Sequence, residues 1–129
     1  MNQLFDDLSN INFISICEEV KGASETVLTF RPKQGFHDNR NAEVYEIKKT
    51  ATGIIVTDNG ITISNLDHIY EMDEPDVTKN IYRILRQTNI KWYGKEFIYK
   101  IDTSEKICPQ IFQYLQGINF IYSMKIFYT

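Results

Sequence analysis

Apolar and polar positions along this chain change period several times, and each change marks an element. Near the start, Leu4, Leu8 and Ile11 fall four and three residues apart, the spacing of one helical stripe. "INFISICEEV" (11–20) also reads as alternation, so both a continued helix and a strand fit there, with Gly22 as the break. "TVLTF" (26–30) and "AEVYEI" (42–47) are β-rich runs separated by the polar stretch "RPKQGFHDNRN". "GIIVT" and "ITIS" come next as two more strands on either side of Asp58-Asn59-Gly60. In "DEPDVTKNIYRILRQTN" the helical period returns. Asp73 or Glu74 serves as cap, Pro75 suits the first turn, where its missing N–H costs nothing, and Val77, Ile81, Ile84 and Leu85 form the inward stripe.

"IKWYGKEFIYKI" (90–101) predicts a hairpin closed by a type II′ turn at Gly94-Lys95, because glycine supplies the positive φ that turn requires. This register sets Trp92 opposite Phe97 and Ile90 opposite Tyr99, all on one face. "PQIFQYLQGINFIYSMKIFY" predicts a helix beginning near Ser104 or Pro109, with Ile107, Ile111, Leu115, Ile118 and Tyr122 on one stripe. Phe112, Tyr114, Phe120, Ile121 and Phe127 widen its apolar surface beyond a single face, which implies burial on several sides or sharing with a partner. Phe112, Tyr114, Phe120 and Phe127 are therefore candidate homodimer contacts. The element order predicts an α+β fold: an antiparallel sheet, built as a meander plus a C-terminal hairpin, packed by an N-terminal, a middle and a C-terminal helix.

Composition narrows the setting. A chain of 129 residues fits one domain, and 43% hydrophobic with 24% charged residues argues against disorder. The net charge of −3 hides a split: Lys and Arg number 6 against 13 Asp and Glu through residue 75, and 8 against 4 beyond it. A general polyanion binder is excluded, whereas a local basic face is not. Cys17 and Cys108 form neither a disulfide framework nor a metal-ligand spacing. The opening "MNQLFDDLSN" lacks a basic-then-apolar leader, and no apolar run reaches the ~20 residues of a membrane span. A cytoplasmic protein with no membrane association is expected. Ile, Asn and Lys are abundant while Ala stands only at 23, 42 and 51, a bias toward A/T-rich codons that points to a low-GC bacterium or a mobile element.

The stretch "IIVTDNGITISNL" (54–66) poses the sharpest local question. Asn-Gly between β-rich runs predicts a hairpin. A two-residue Asn59-Gly60 loop pairs Asp58 with Ile61 and turns Asp58 toward the apolar face. A three-residue Asp58-Asn59-Gly60 loop leaves Asp58 at the tip and gathers Ile55, Ile61 and Ile63, and is preferred because it avoids burying an unpaired carboxylate. The spacing of a calcium loop is missing.

"VTDNGITISNL", preceded by "HDNRNAEVYEI", resembles the bacterial and phage family catalogued as domain of unknown function 1828. Thr57, Asp58, Gly60, Leu66 and Tyr45 match its pattern. Asn59 replaces an aspartate, and His37-Asp38-Asn39-Arg40-Asn41 reproduces its polar cluster in part. The similarity runs over about residues 27 to 120. The resemblance implies a bacterial or phage origin and brings no established reaction.

Three constellations remain. The loop holding Arg31, Lys33, His37, Asp38 and Arg40 reads as a solvated connection or a partner-binding loop. As an enzyme, His37 and Asp38 would act with Asp58 in a small hydrolase. A metal at His37 would need His68, Asp67 and Glu71, and neither metal nor cofactor is expected. Lys79, Arg83 and Arg86 share one helix face, where they would contact an anionic partner such as nucleic acid. Trp92, Tyr93, Phe97 and Tyr99 read as core beneath the last helix. No phosphate loop, catalytic triad or dinucleotide fingerprint appears. The expected function is non-catalytic binding of a macromolecule, foremost a protein partner, in a regulatory or inhibitory role toward a nucleic-acid-processing or defence system.

Overall fold

The computed structural model describes residues 17–21, 27–32 and 44–124. The fold is α+β, on an antiparallel sheet. Its strands are β1 (Cys17–Lys21), β2 (Val27–Pro32), β3 (Tyr45–Thr50), β4 (Gly53–Thr57), β5 (Ile90–Tyr93) and β6 (Glu96–Lys100). Its helices are α1 (Ile61–Leu66), α2 (Pro75–Leu85) and α3 (Ile107–Tyr122). The strand order is β1-β2-β3-β4-β6-β5: a meander of four, continued by the later hairpin turned so that β6 lies inside and β5 at the edge.

Most predicted elements stand where the periodicity puts them. The β5–β6 register pairs Trp92 with Phe97 and Ile90 with Tyr99. Gly94 takes φ 59, while Asn59 is the only non-glycine with positive φ among the described residues, so Lys95 has the negative φ of a type II′ turn. Glu74 stands at the N-cap position of α2 without a side-chain capping bond, and Pro75 occupies its first turn. The predicted N-terminal helix falls outside the described residues, and Cys17–Lys21, where helix and alternation both fitted, is a strand.

One predicted element is of a different kind. "ITIS" is not a strand: Ile61–Leu66 is a helix, despite three β-branched residues in its first three positions. The turn is the two-residue Asn59-Gly60 bend and not the preferred three-residue loop: Asn59 (φ 54) and Gly60 (φ 86, ψ 1) both lie in the left-handed region and Ile61 N–H donates to the Asp58 carbonyl at 3.1 Å. Beyond the turn the chain is helical because Ser64 N–H closes onto the Gly60 carbonyl at 3.1 Å and Thr62 N–H is taken by the Asp58 side chain at 3.2 Å.

The core lies between the sheet and the helices. Leu28, Phe30, Tyr45, Ile47, Ile54, Val56, Ile90, Phe97 and Tyr99 are buried on one sheet face against Ile107, Ile111, Leu115, Ile118 and Ile121 of α3 and Val77, Ile81 and Leu85 of α2. A run of rings ties the layers: Phe30 stacks on Tyr45 at 5.7 Å, and Tyr114 of α3 meets Tyr45 edge-on at 6.0 Å and Tyr99 at 6.5 Å. At the sheet margin, Trp92 lies 5.3 Å from Phe97 and 5.2 Å from Tyr82 of α2.

Tyr114 is buried, and its hydroxyl donates to the Phe97 carbonyl at 2.6 Å. Burial pushes its pKa well above the ordinary tyrosine value, and the Asp58 and Glu96 carboxylates push it further. The folded state therefore holds the neutral phenol. Its contribution is complete below the unfolded-state pKa of about 10 and is lost as pH rises beyond it. Tyr114→Phe is expected to lower stability by about 1 kcal/mol at neutral pH. Between about pH 9 and 11 its stability should fall less steeply than the wild type's, so urea titrations of the two proteins should converge. Parallel pH profiles would contradict this account.

Candidate functional site

The Thr57-Asp58-Asn59-Gly60 corner is densely hydrogen-bonded within the chain. Asp58 is fully buried. One carboxylate oxygen accepts from Gly60 N–H and from Phe97 N–H, each at 3.0 Å, and the other accepts from Thr62 N–H at 3.2 Å. The β4–β6 register explains the Phe97 bond. Thr57 pairs with Ile98, and one step further residue 58 lies opposite residue 97, so the carboxylate stands where a main-chain carbonyl would if β4 continued. Around it, Thr57 Oγ1 donates to Glu96 at 2.6 Å and accepts from Asn59 N–H at 3.1 Å, while Asn59 Nδ2 donates to Glu46. The expectation that Asp58 stays at an exposed tip is overturned. The carboxylate is buried, and three main-chain donors offset the cost of removing it from water.

A general base must reach its substrate. Asp58 is fully buried and its carboxylate is taken up by three main-chain donors; its predicted hydrolase partners are His37 and Asp38. Those two residues, together with Lys33 and Arg40, fall outside the described residues. Arg31 is exposed on β2. Lys79, Arg83 and Arg86 are exposed on α2 and its C-cap, with Tyr82, 51% exposed, on the same outer surface. Asp67, His68 and Glu71 edge a shallow hollow of about 530 Å³, but among the described residues no three His, Cys, Asp or Glu side chains converge as metal ligands. Phe112 and Phe120 are exposed on α3. Tyr114 is not an interface residue: it is enclosed between α3 and the sheet and offers a partner no surface. Phe127 lies outside the described residues.

The opposite face of the sheet holds what the motif search passed over. No described helix packs on it. Cross-strand pairing there sets Lys48 beside Ile55 and Ile55 beside Lys100, and in the next row Thr57 beside Ile98 and Ile98 beside Lys91. Ile55 and Ile98 are half-buried, Lys91 and Lys100 are exposed, and Tyr93 is 62% exposed. Lys48 pairs with Glu46 at 3.5 Å. A cleft of about 920 Å³ opens from this face around the start of β5 to the N-terminal end of α3, lined by Lys91, Tyr93, Ile98, Lys100, Lys106 and Gln113 among others. Asp102 and Glu105 also line it. Ser104 holds the Asp102 pKa down, first through its hydroxyl at 2.6 Å and then through its N–H at 3.0 Å. Gln110 is committed to structure: it accepts from Asp102 N–H at 2.7 Å and donates to the Asp102 and Lys106 carbonyls, each at 2.9 Å.

This surface was legible in principle. The register that places Trp92 and Phe97 on the core face necessarily places Lys91, Tyr93, Ile98 and Lys100 on the other. No family model, curated protein or solved structure matches the chain.

Asp58→Ala is expected to strand three main-chain donors and to cost about 3–5 kcal/mol in chemical denaturation. Asp58→Asn keeps one acceptor but turns an amide N–H₂ toward one of those donors, and should cost about 1–3 kcal/mol. Equal losses for the two would refute the role of the second oxygen. Next to it, the buried Thr62 hydroxyl has no hydrogen-bond partner. Thr62→Val should therefore leave the unfolding midpoint unchanged or raise stability by about 1 kcal/mol.

Proposed function

We propose that this chain is a non-catalytic macromolecule-binding domain that engages a protein partner through the face of its sheet that no described helix covers. The observation that carries the reading is the one-sidedness of that sheet. Among the described residues the helices cover one face, while the other presents Ile55 and Ile98, half-buried, between Lys91 and Lys100 and beside an exposed Tyr93. Apolar centre, cationic margin and one exposed tyrosine form the composition of a recognition surface. The lysines favour a partner whose contacting surface is acidic. The enclosure of Asp58 weighs against the hydrolase reading. The A/T-rich codon bias and the resemblance described above support a regulatory or inhibitory role in a bacterium or mobile element, directed at a nucleic-acid-processing or defence system.

Lys91→Glu combined with Lys100→Glu tests the surface. Affinity capture from a lysate of the source organism, read by mass spectrometry, should retain a stoichiometric partner with the wild type. The double variant should bind that partner at least about tenfold more weakly at an unchanged unfolding midpoint. Equal capture by both proteins, or by neither, would overturn the assignment.

A second reading has its own observation, the exposed Tyr82 among Lys79, Arg83 and Arg86 on α2. A nucleic acid on that face would be held by phosphate contacts, so its affinity would fall steeply between about 50 and 200 mM salt. Salt-insensitive binding to single- or double-stranded oligonucleotides would exclude it.

A further inference from the structure

The bend between β4 and α1 carries a reactive pair as well as a reversal of the chain. Asn59 is the only asparagine of the sequence that glycine follows. Glycine has no Cβ to shield its main-chain nitrogen, so Gly60 N can reach the side-chain amide carbon of Asn59 once nothing holds the two apart. Asn59 is exposed, which gives water access to the product of that attack. The chemistry balances with water alone. Gly60 N loses its proton to solvent and bonds to Asn59 Cγ, while the Cγ–Nδ2 bond breaks and Nδ2 leaves as ammonia with a proton from water. Water then opens the cyclic imide. Opening at Cγ leaves aspartate on an intact main chain. Opening at the main-chain carbonyl leaves isoaspartate, whose peptide link runs through the side chain with an extra carbon.

The fold ties each reacting group to a different partner. Gly60 N–H donates to the buried Asp58 carboxylate at 3.0 Å. That negative acceptor opposes the loss of the proton, because the attacking nitrogen would itself carry negative charge. Asn59 Nδ2, the leaving nitrogen, donates to Glu46 on β3, and Asn59 N–H donates to Thr57 Oγ1 at 3.1 Å. We infer that Asn59-Gly60 is a deamidation site gated by the fold: it is held unreactive while the corner is closed and reacts in molecules whose corner has opened. The isoaspartyl product does not close again, since its extra carbon displaces the Gly60 and Thr62 donors from the carboxylate that precedes them. The aspartyl product has no donor for Glu46 and sets a second carboxylate against it. Each opening that reacts is thereby recorded in the covalent chain. This inference stands on the corner alone and is independent of the surface assigned to partner binding.

Incubation of the purified chain at mildly alkaline pH tests it, with conversion at Asn59 followed by peptide mass spectrometry and isoaspartate measured separately. Conversion in buffer is expected to be at least about tenfold slower than in denaturing urea, where the corner is open in every molecule. Glu46→Ala removes one tether from a position distant in sequence. It should raise the rate in buffer at least about threefold and leave the rate in urea unchanged. Circular dichroism matched to the wild type separates loss of the tether from loss of the fold in that variant. Wild-type protein aged in urea and refolded should contain an isoaspartyl fraction with a lower unfolding midpoint than the unreacted fraction. Equal wild-type rates in buffer and in urea overturn the inference. So does a folded Glu46→Ala protein that reacts no faster than the wild type, or an isoaspartyl fraction that unfolds at the unreacted midpoint.

Discussion

The structure turns on a carboxylate that has no access to water. Asp58 ends β4, starts α1 and anchors β6, three elements separated by up to 39 residues. Each of its bonds removes a buried main-chain donor from the unsatisfied state, which is costly in a low-dielectric interior. Side-chain acceptors at the end of a strand usually face solvent. Here the acceptor extends the β-ladder by one step beyond the last backbone pair and at the same time closes the first turn of a helix. The left-handed Asn59 and Gly60 are consequences of that geometry, since the chain must reverse within two residues for the main-chain donors of Gly60 and Thr62 to face the carboxylate that precedes them.

This corner also sets the division of labour between the two faces. β6 is fixed by Asp58 at Phe97 N–H and by Tyr114 at the Phe97 carbonyl, so the strand and α3 are bound to the same residue. With Phe97 and Tyr99 committed inward, the pleat of β6 leaves Ile98 and Lys100 outward, and the β5 pairing carries Lys91 and Tyr93 to the same side. The proposed recognition surface is thus a by-product of the register that builds the core.

Legibility in the sequence varied with how local the deciding interaction was. The β5–β6 hairpin was readable because its glycine and its aromatic cross-strand pairs agree within a short span. The helix α2 was readable because proline, cap and period coincide. Helix α1 was not, since Ile61, Thr62 and Ile63 favour strands and the element is made helical by a carboxylate whose third donor lies on a strand far along the chain. The same distance hid the fate of Asp58. Periodicity alone offered a choice between exposing it and burying it unpaired, and the structure takes neither course. Tyr114 looked like a surface aromatic on a helix apolar all round, and only the packing of rings from three elements shows that it points inward. The outward face of the sheet was implied by the hairpin register, but attention to its core side left it unread.

Strand order also dictates when the protein can become stable during synthesis. Until residues 96–100 emerge, β4 lacks its neighbour and presents Ile54, Ile55 and Val56 along an unpaired margin. The strand that protects it arrives only after two helices and β5, and the helix that seals the layer arrives later still. An exposed β-branched margin is the usual template for intermolecular pairing. The order of the strands in the chain thus leaves the middle of the sheet to be closed last.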